Sequence, residues 1–339
     1  MEYRRLGNTG TAVSTLCMGA MTFGQESDEK VSHAQLDRFV ERGGNFIDTA
    51  DVYSQGVSEE IIGRWFAARP GVRDQVVLAT KGRFPMGDGP NDHGLSRTHL
   101  TRALDASLRR LGVEAIDLYQ AHAWDPITPL EETLRFYDDA VRAGKIRYAG
   151  VSNFIGWQLQ KAATITELRG LTPIVTLQPQ YNLITRDIEL ELVDVCTNES
   201  IGILPWSPLA GGWLTGKYRR DEVPTGTSRL GEDPDRGMEA YAPRNAQERT
   251  WRIVDTVRQV AEERGVSMAQ VALAWVADRP AVTSVILGAR TLEQLDDNLG
   301  AADLHLSERE TALLDEAGAP AVADYPYGGP GVSQRSRRF

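Results

Sequence analysis

Cysteine is scarce in this chain of 339 residues: there are two, Cys17 and Cys196, far apart in sequence. Two cysteines make no disulfide framework and these have no metal-ligand spacing, which points to a reducing compartment and small buried hydrophobes. Histidine is scarce too, with five copies and no ligand-like spacing, so no metal site is expected. Basic charge is in deficit, 37 Lys and Arg against 47 Asp and Glu, a net charge of −10. Neither nucleic acid nor an anionic membrane surface is expected as a partner. No apolar run approaches the roughly 18 residues needed to cross a bilayer. The opening, MEYRRLGNTG, lacks the apolar stretch of a secretory signal. No GxGxxG follows a strand-like run, so the usual sign of a dinucleotide-binding doubly wound sheet is missing. The expectation is a cytoplasmic protein that works on small molecules.

What is present is ordinary globular material, 41% hydrophobic and 25% charged, enough to build a core without staples. The chain opens with a hairpin pattern, YRRL and TAVS around a Gly-Asn-Thr-Gly turn. Short apolar runs follow at 16–18, 46–47, 76–79, 116–119, 148–151, 175–177, 202–204 and 282–287. Between them lie stretches with apolar residues three and four apart, among them 32–42, 58–66, 98–111, 130–143 and 188–198, as helices lying on a sheet require. Eight strands alternating with helices predict a parallel sheet with right-handed crossovers, closed as a single (β/α)8 TIM barrel over residues 1–339. On this count alone an open doubly wound sheet is the alternative. Two stretches break the rhythm. Residues 218–245 are charged, rich in Gly and Pro and too long for a simple connection, the mark of a functional loop without stable helix or strand. The tail, from about 320 to 339, is expected to be mobile at its end.

In barrels of this kind chemistry gathers at the carboxyl ends of the strands. Past the second run come Asp48 and then Tyr53 (IDTADVY), past the third Lys81 (LATKG), past the fourth His122 (LYQAH). The fifth ends in Ser152 and Asn153, the sixth in Gln178, the seventh in Trp206 and Ser207, the eighth in Gly288, Ala289 and Arg290. Each has an ordinary reading taken singly: Asp48 a helix N-cap, Lys81 a surface lysine, Tyr53 a half-buried tyrosine, His122 a hydrogen-bonded histidine at the mouth. Seven strand ends in register carrying polar, charged or aromatic groups are hard to assign to chance.

The blocks GAMTFG (19–24), NFIDTADVY (45–53), LATKG (78–82), DLYQAH (117–122), GKIRYAGVSNF (144–154), QPQYN (178–182), PWSPLAGGWLTGKY (205–218) and GARTLEQLDDNL (288–299) carry a resemblance, in content and spacing, over the whole chain. The sequence resembles the aldo-keto reductase superfamily, and within it the branch of aryl-alcohol dehydrogenase-like reductases and voltage-gated potassium channel β subunits. The resemblance implies NADP(H)-dependent reduction of an aldehyde or ketone, with Asp48, Tyr53, Lys81 and His122 as catalytic tetrad. The residue types suit that chemistry. A tyrosine keeps its proton near neutrality, and a neighbouring ammonium favours its phenolate and so eases proton release. Asp48 would keep the buried lysine charged, and His122 would donate a hydrogen bond to the carbonyl oxygen.

The resemblance further implies that Ser152, Asn153 and Gln178 hold the cofactor's carboxamide and that Trp206 lies under the nicotinamide. Ser207, Leu209, Gly211 and Lys217 would form the pyrophosphate loop. Gly288 precedes Arg290, which is placed to meet a 2′-phosphate with its planar fork. Gln294 and Asn298, four apart on one helix face, would reach the adenosine. Two departures stand out: Ala289 where relatives often carry a hydroxyl, and Asp297 where glutamate is frequent. A small-molecule carbonyl substrate would be walled by Met21, Phe23, Phe84 and Trp124, an apolar to aromatic lining. Aryl, sugar and polyketide carbonyls all fit that description, and a homo-oligomer is compatible with the family. The alternative function is a cofactor-binding regulatory subunit with little turnover, which Trp206 and the WSPLAGG block also suit.

Overall fold

The computed structural model describes residues 1–336. Two short antiparallel strands come first, β1 (Tyr3–Arg5) and β2 (Ala12–Ser14), paired with Tyr3 opposite Ser14. Eight parallel strands follow: β3 (Leu16–Gly19), β4 (Phe46–Asp48), β5 (Val77–Gly82), β6 (Ile116–Ala121), β7 (Ile146–Ser152), β8 (Ile174–Gln178), β9 (Gly202–Ile203) and β10 (Val285–Leu287). They are ordered in space as in sequence, except that β10 pairs with β3. The ring closes between β9 and β10. There Ile203 N–H donates to the Ala281 carbonyl (2.8 Å), Thr283 N–H to Ile203 (2.9 Å) and Ile286 N–H to Pro205 (3.0 Å). Closure removes every edge and selects the barrel over the open doubly wound sheet.

Alternation along the strands splits the apolar residues into two layers. Cys17, Phe46, Val77, Ala79, Leu118, Val175, Leu204 and Ile286 fill the interior, together with Leu6 and Val13 from the hairpin. The hairpin therefore plugs one end. Gly7 (φ +56) runs so close to β8 that a Cβ would lie 2.2 Å from the Val175 carbonyl oxygen, and only glycine fits. Met18, Ile47, Leu78, Tyr119 and Leu177 face outward into the helix-covered layer. The helix Arg97–Leu111 shows how that layer is specified. The Ser96 hydroxyl caps it by accepting from His99 N–H, Leu100, Ala103, Leu104, Ser107 and Leu111 are buried at spacings of three and four, and Gly112 ends it in the left-handed region.

Several elements differ from the sequence reading. The segment read as one helix over 188–198 is a 3-10 turn, Asp187–Leu190, and then a helix, Leu192–Glu199. The segment 218–245 contains short helices at Arg229–Glu232 and Tyr241–Asn245 and a 3-10 turn at Gly237–Glu239. Elements of three to five residues leave no periodicity to detect. The tail carries a helix, Gly329–Arg335, and the expectation of a mobile end falls partly on residues 337–339, outside the described residues. Among the described residues no helix is long and apolar enough to cross a membrane.

Candidate active site

The alternation that fills the barrel interior also delivers the polar side chains to its mouth. Phe46 points inward and Asp48 is next on that face of β4; Val77 and Ala79 are followed by Lys81 on β5. Leu118 leads through Gln120 to His122 at the end of β6, and Leu204 leads to Trp206 past β9. Two-residue periodicity alone thus brings groups from distant parts of the chain to one place.

Lys81 is the hub. Its Nζ donates to Asp48 Oδ2 (2.6 Å), to the Thr49 carbonyl (2.7 Å) and to the Tyr53 hydroxyl oxygen (3.3 Å), and no part of it reaches solvent. The other Asp48 oxygen, Oδ1, accepts from Gln120 Nε2 (3.1 Å) and Gln178 Nε2 (3.0 Å). The carboxylate is therefore satisfied on both sides. The His122 ring lies edge-on to Tyr53, with centroids 5.7 Å apart, and edge-on to Phe84 at 4.7 Å. All four expected tetrad residues meet.

Burial works against the Lys81 ammonium, but Asp48 and Tyr53 outweigh it and hold its pKa above the ordinary lysine value. His122 is held well below its usual value by burial first, then by the charges of Lys81 and Arg83. It is a neutral imidazole with one N–H to give. For Tyr53 the balance differs from the sequence expectation. Lys81 pulls its pKa down, but desolvation of the phenol is larger and the net shift is upward. Tyr53 is thus firmly protonated in the resting protein. Beside them Asp51 is completely buried with both carboxylate oxygens unpartnered among the described residues. Burial and the Glu59 carboxylate push it up to about 7 against the opposing charge of Arg110.

The candidate cofactor residues form two groups. In the first, Ser152 Oγ donates to the Gln178 carbonyl (2.7 Å), and Asn153 Nδ2 donates to the His122 carbonyl (2.9 Å). Trp206 Nε1 donates to Asn153 Oδ1 (3.0 Å), which ties the tryptophan to the tetrad side of the mouth. Gln178 spends its amide N–H groups on Asp48 and Gln120, and nothing donates to its Oε1 among the described residues. In the second group, Ser207 (φ +52) and Gly211 (φ +64) lie on the turn after β9, with Leu209 partly buried between them. Gly212 (φ +99) lets Lys217 approach so closely that a Cβ would sit 2.5 Å from its Nζ. Burial and then the charges of Arg290 and Arg229 hold Lys217 below the usual lysine range. Gln294 Oε1 accepts from Arg290 N–H (2.9 Å), and Asn298, buried on the same helix, donates to the Gly288 carbonyl (3.4 Å).

Three acidic and two basic residues here, Glu26, Glu232, Glu239, Arg229 and Arg236, escaped the sequence reading as site residues. Arg290 Nε donates to Glu26 (2.9 Å), and its two terminal nitrogens donate to the two oxygens of Glu232 (3.0 Å each). Arg236 also reaches Glu26 (2.7 Å), so carboxylates hold the segment 218–245 to the barrel. Glu239, buried, accepts from Ser207 Oγ and from Gln180 Nε2 (3.0 Å). Arg229, with a buried Nε that has no partner among the described residues, converges with Lys217 and Arg290. An orphaned guanidinium N–H among three cations fits a phosphate-bearing cofactor. Gln120, which the sequence reading also missed, had a signal: it is a polar residue at an interior position of an apolar run. The others lie where the sequence has no period.

Of the candidate substrate residues, Met21, Phe84 and Trp124 present surface at the mouth. Phe23 does not: it is fully buried in the outer core. Spacing placed it near the site, but spacing does not give the direction of a side chain.

The model of the Aldo/keto reductase family matches residues 15–319. An uncharacterised oxidoreductase, YrpG, from Bacillus subtilis (strain 168) is 38% identical over 93% of this chain and 95% of its own length. A probable voltage-gated potassium channel subunit beta from Arabidopsis thaliana is 38% identical, covering 90% and 92% of the two chains. Versiconal hemiacetal acetate reductase from Aspergillus parasiticus is 34% identical over 94% and 98%. The chain belongs to the aldo/keto reductase family.

Proposed function

We propose that the protein reduces an aldehyde or ketone to the alcohol with NADPH, and that Tyr53 gives the carbonyl oxygen its proton. The observation that carries this reading is the position of Lys81 Nζ, itself shut from solvent and bonded at once to Asp48 and to the hydroxyl of the partly exposed Tyr53. When bound, the nicotinamide supplies a hydride from its C4 to the carbonyl carbon. Ser152, Asn153, Gln178 and Trp206 would hold the nicotinamide end, Ser207, Leu209, Gly211 and Lys217 the pyrophosphate, and Arg229, Arg290, Gln294 and Asn298 the adenosine end.

The residues of the chain do the proton work. His122, neutral, donates its N–H to the carbonyl oxygen and orients it toward the Tyr53 hydroxyl. As negative charge develops on that oxygen, the O–H bond of Tyr53 breaks and its proton passes to the oxygen. The phenolate left behind lies 3.3 Å from the Lys81 ammonium, which stabilises it far better in a dry site than in water. Asp48 keeps Lys81 charged and in place. The raised pKa of resting Tyr53 is consistent with an acid that keeps its proton until a substrate oxygen needs it.

The test is consumption of NADPH with a panel of aryl, sugar and polyketide-like carbonyls, run beside NADH. Carbonyl-dependent oxidation of NADPH, with a matching quantity of alcohol, is expected. No turnover with any member would leave a cofactor-binding regulatory role as the better reading.

A further inference from the structure

Arg83 comes directly after Gly82, the last residue of β5, and two residues after Lys81. Its Nη2 donates to the Trp124 carbonyl (3.2 Å), and its guanidinium carbon lies 5.0 Å from the centre of the Phe84 ring. Phe84 in turn touches His122 edge-on. The guanidinium therefore sits one aromatic ring away from the group that would receive the carbonyl oxygen. Its charge is already felt there, as one of the influences that keep His122 neutral.

The guanidinium is not neutralised. Arg73 and Arg110 on neighbouring elements meet Asp117 (2.8 Å) and Glu59 (2.7 Å). Arg83 has no carboxylate in ion-pair range among the described residues, and its Nε is shut from solvent without a partner. Arg83 is partly exposed, its Nη1 carries no hydrogen bond among the described residues, and stacking on Phe84 offsets the missing counter-ion only in part. Beyond it the wall is aromatic: Trp124 meets Phe154 at 5.1 Å and Trp157 at 5.4 Å, and Trp157 is 54% exposed. Such a wall suits a flat body.

We propose that Arg83 selects carbonyl substrates that carry a carboxylate on an aromatic body, the carboxylate pairing with its guanidinium while the carbonyl oxygen lies between Tyr53 and His122. This rests on the reading of Tyr53 as proton donor and adds the substrate class to it. With Nε shut from solvent, the edge left to a carboxylate is that of the two terminal nitrogens, which can give it two parallel N–H bonds while Nη2 keeps Trp124, and the pairing supplies the missing counter-ion. A neutral aldehyde of the same shape leaves the guanidinium as it was.

Two probes separate charge from shape: 4-formylbenzoate and its methyl ester, each with NADPH. The expected kcat/KM for the acid exceeds that for the ester roughly 10- to 100-fold, the range of a charge-assisted hydrogen bond. The Arg83→Gln variant keeps a donor for the Trp124 carbonyl but not the charge. It should lose the preference through KM for the acid alone, with the ester unchanged. Terephthalate binding to the NADP-loaded protein, followed by calorimetry, should weaken in parallel and reads the contact without turnover. Should the variant fold poorly, the wild-type preference for the acid still has to shrink as salt is added. Equal turnover of both probes in the wild type, or equal slowing of both in Arg83→Gln, overturns the proposal: Arg83 is then a strut between the strand end and Trp124. Turnover of neither probe nor of any other carbonyl instead refutes the reductase reading itself.

Discussion

Lys81 Nζ lies 2.6 Å from Asp48 Oδ2, and both side chains are closed to solvent, at 0% and 3% exposure. Neither charge is tolerable there alone. Lys81→Met leaves a buried carboxylate without its cation, and such losses typically destabilise by about 3–5 kcal/mol. The variant should therefore unfold at clearly lower urea concentration, besides losing activity. Asp48→Asn strands the Lys81 ammonium in turn, but an amide oxygen can still accept from it, so the loss should be smaller than in Lys81→Met. Urea unfolding of both variants beside the wild type checks the order; equal, small effects would mean that the pair is more hydrated than its burial indicates.

Asp51 gives the fold a pH dependence of its own. Its folded pKa, about 7, is above its ordinary value of 3.8, so between those values the native state binds the proton more tightly than the unfolded chain. This group's contribution is therefore most favourable below about pH 4 and is lost as pH rises through about 7. The full shift corresponds to roughly 4 kcal/mol as an upper bound. Asp51→Asn should leave stability near pH 4 almost unchanged and raise it progressively toward pH 8. Unfolding curves across that range decide; a difference that does not grow with pH would show that Asp51 is already satisfied.

Arg290, proposed above to read the 2′-phosphate, has its guanidinium held by Glu26 and Glu232. Replacement of a charge-assisted bidentate contact should raise the NADPH Kd roughly 30- to 150-fold in Arg290→Ala, with NADH little affected. Glu232→Gln should act in the opposite direction. The exposed Glu232 pair is worth up to about 1 kcal/mol, so freeing the fork should tighten NADPH by roughly twofold to fivefold and leave NADH unchanged. Titration of both cofactors against both variants tests this. Parallel changes for NADPH and NADH would assign Arg290 to anchoring the segment 218–245 alone.

Much of the site was legible because strand alternation is a local property. Once β5 is placed, Val77, Ala79 and Lys81 must share a face, and the same parity carries Phe46 to Asp48 and Leu118 to His122. Eight apolar runs spaced by helical patterns fit a barrel and an open doubly wound sheet alike, and the bonds that close β9 on β10 decide between them. What alternation does not reveal is which polar partner a side chain takes. Gln178 spends its amide on Asp48, and Arg290 spends its fork on Glu232, contacts between residues far apart in sequence. Glu232, Glu239 and Arg229 sit in a four-residue helix and a three-residue turn with no periodicity, so only the tertiary fold brings them toward Arg290, Ser207 and Lys217. For Tyr53 the lysine that lowers its pKa is visible in the motif, whereas the larger, opposing desolvation is not.

The central claim is that Tyr53, through its bond to Lys81, is the proton donor of a carbonyl reduction. Tyr53→Phe removes one hydroxyl and leaves the ring beside His122, so packing and the cofactor side of the mouth should persist. Single-turnover and steady-state reduction of a competent aldehyde, measured with NADPH binding on the same sample, isolates that hydroxyl. A general acid of this kind contributes about 10²- to 10⁴-fold, so kcat should fall at least about 100-fold while the NADPH Kd stays within about threefold. A variant that retained more than about a tenth of the wild-type kcat, a loss under roughly 1.4 kcal/mol, would contradict the assignment and move the proton donor elsewhere in the mouth.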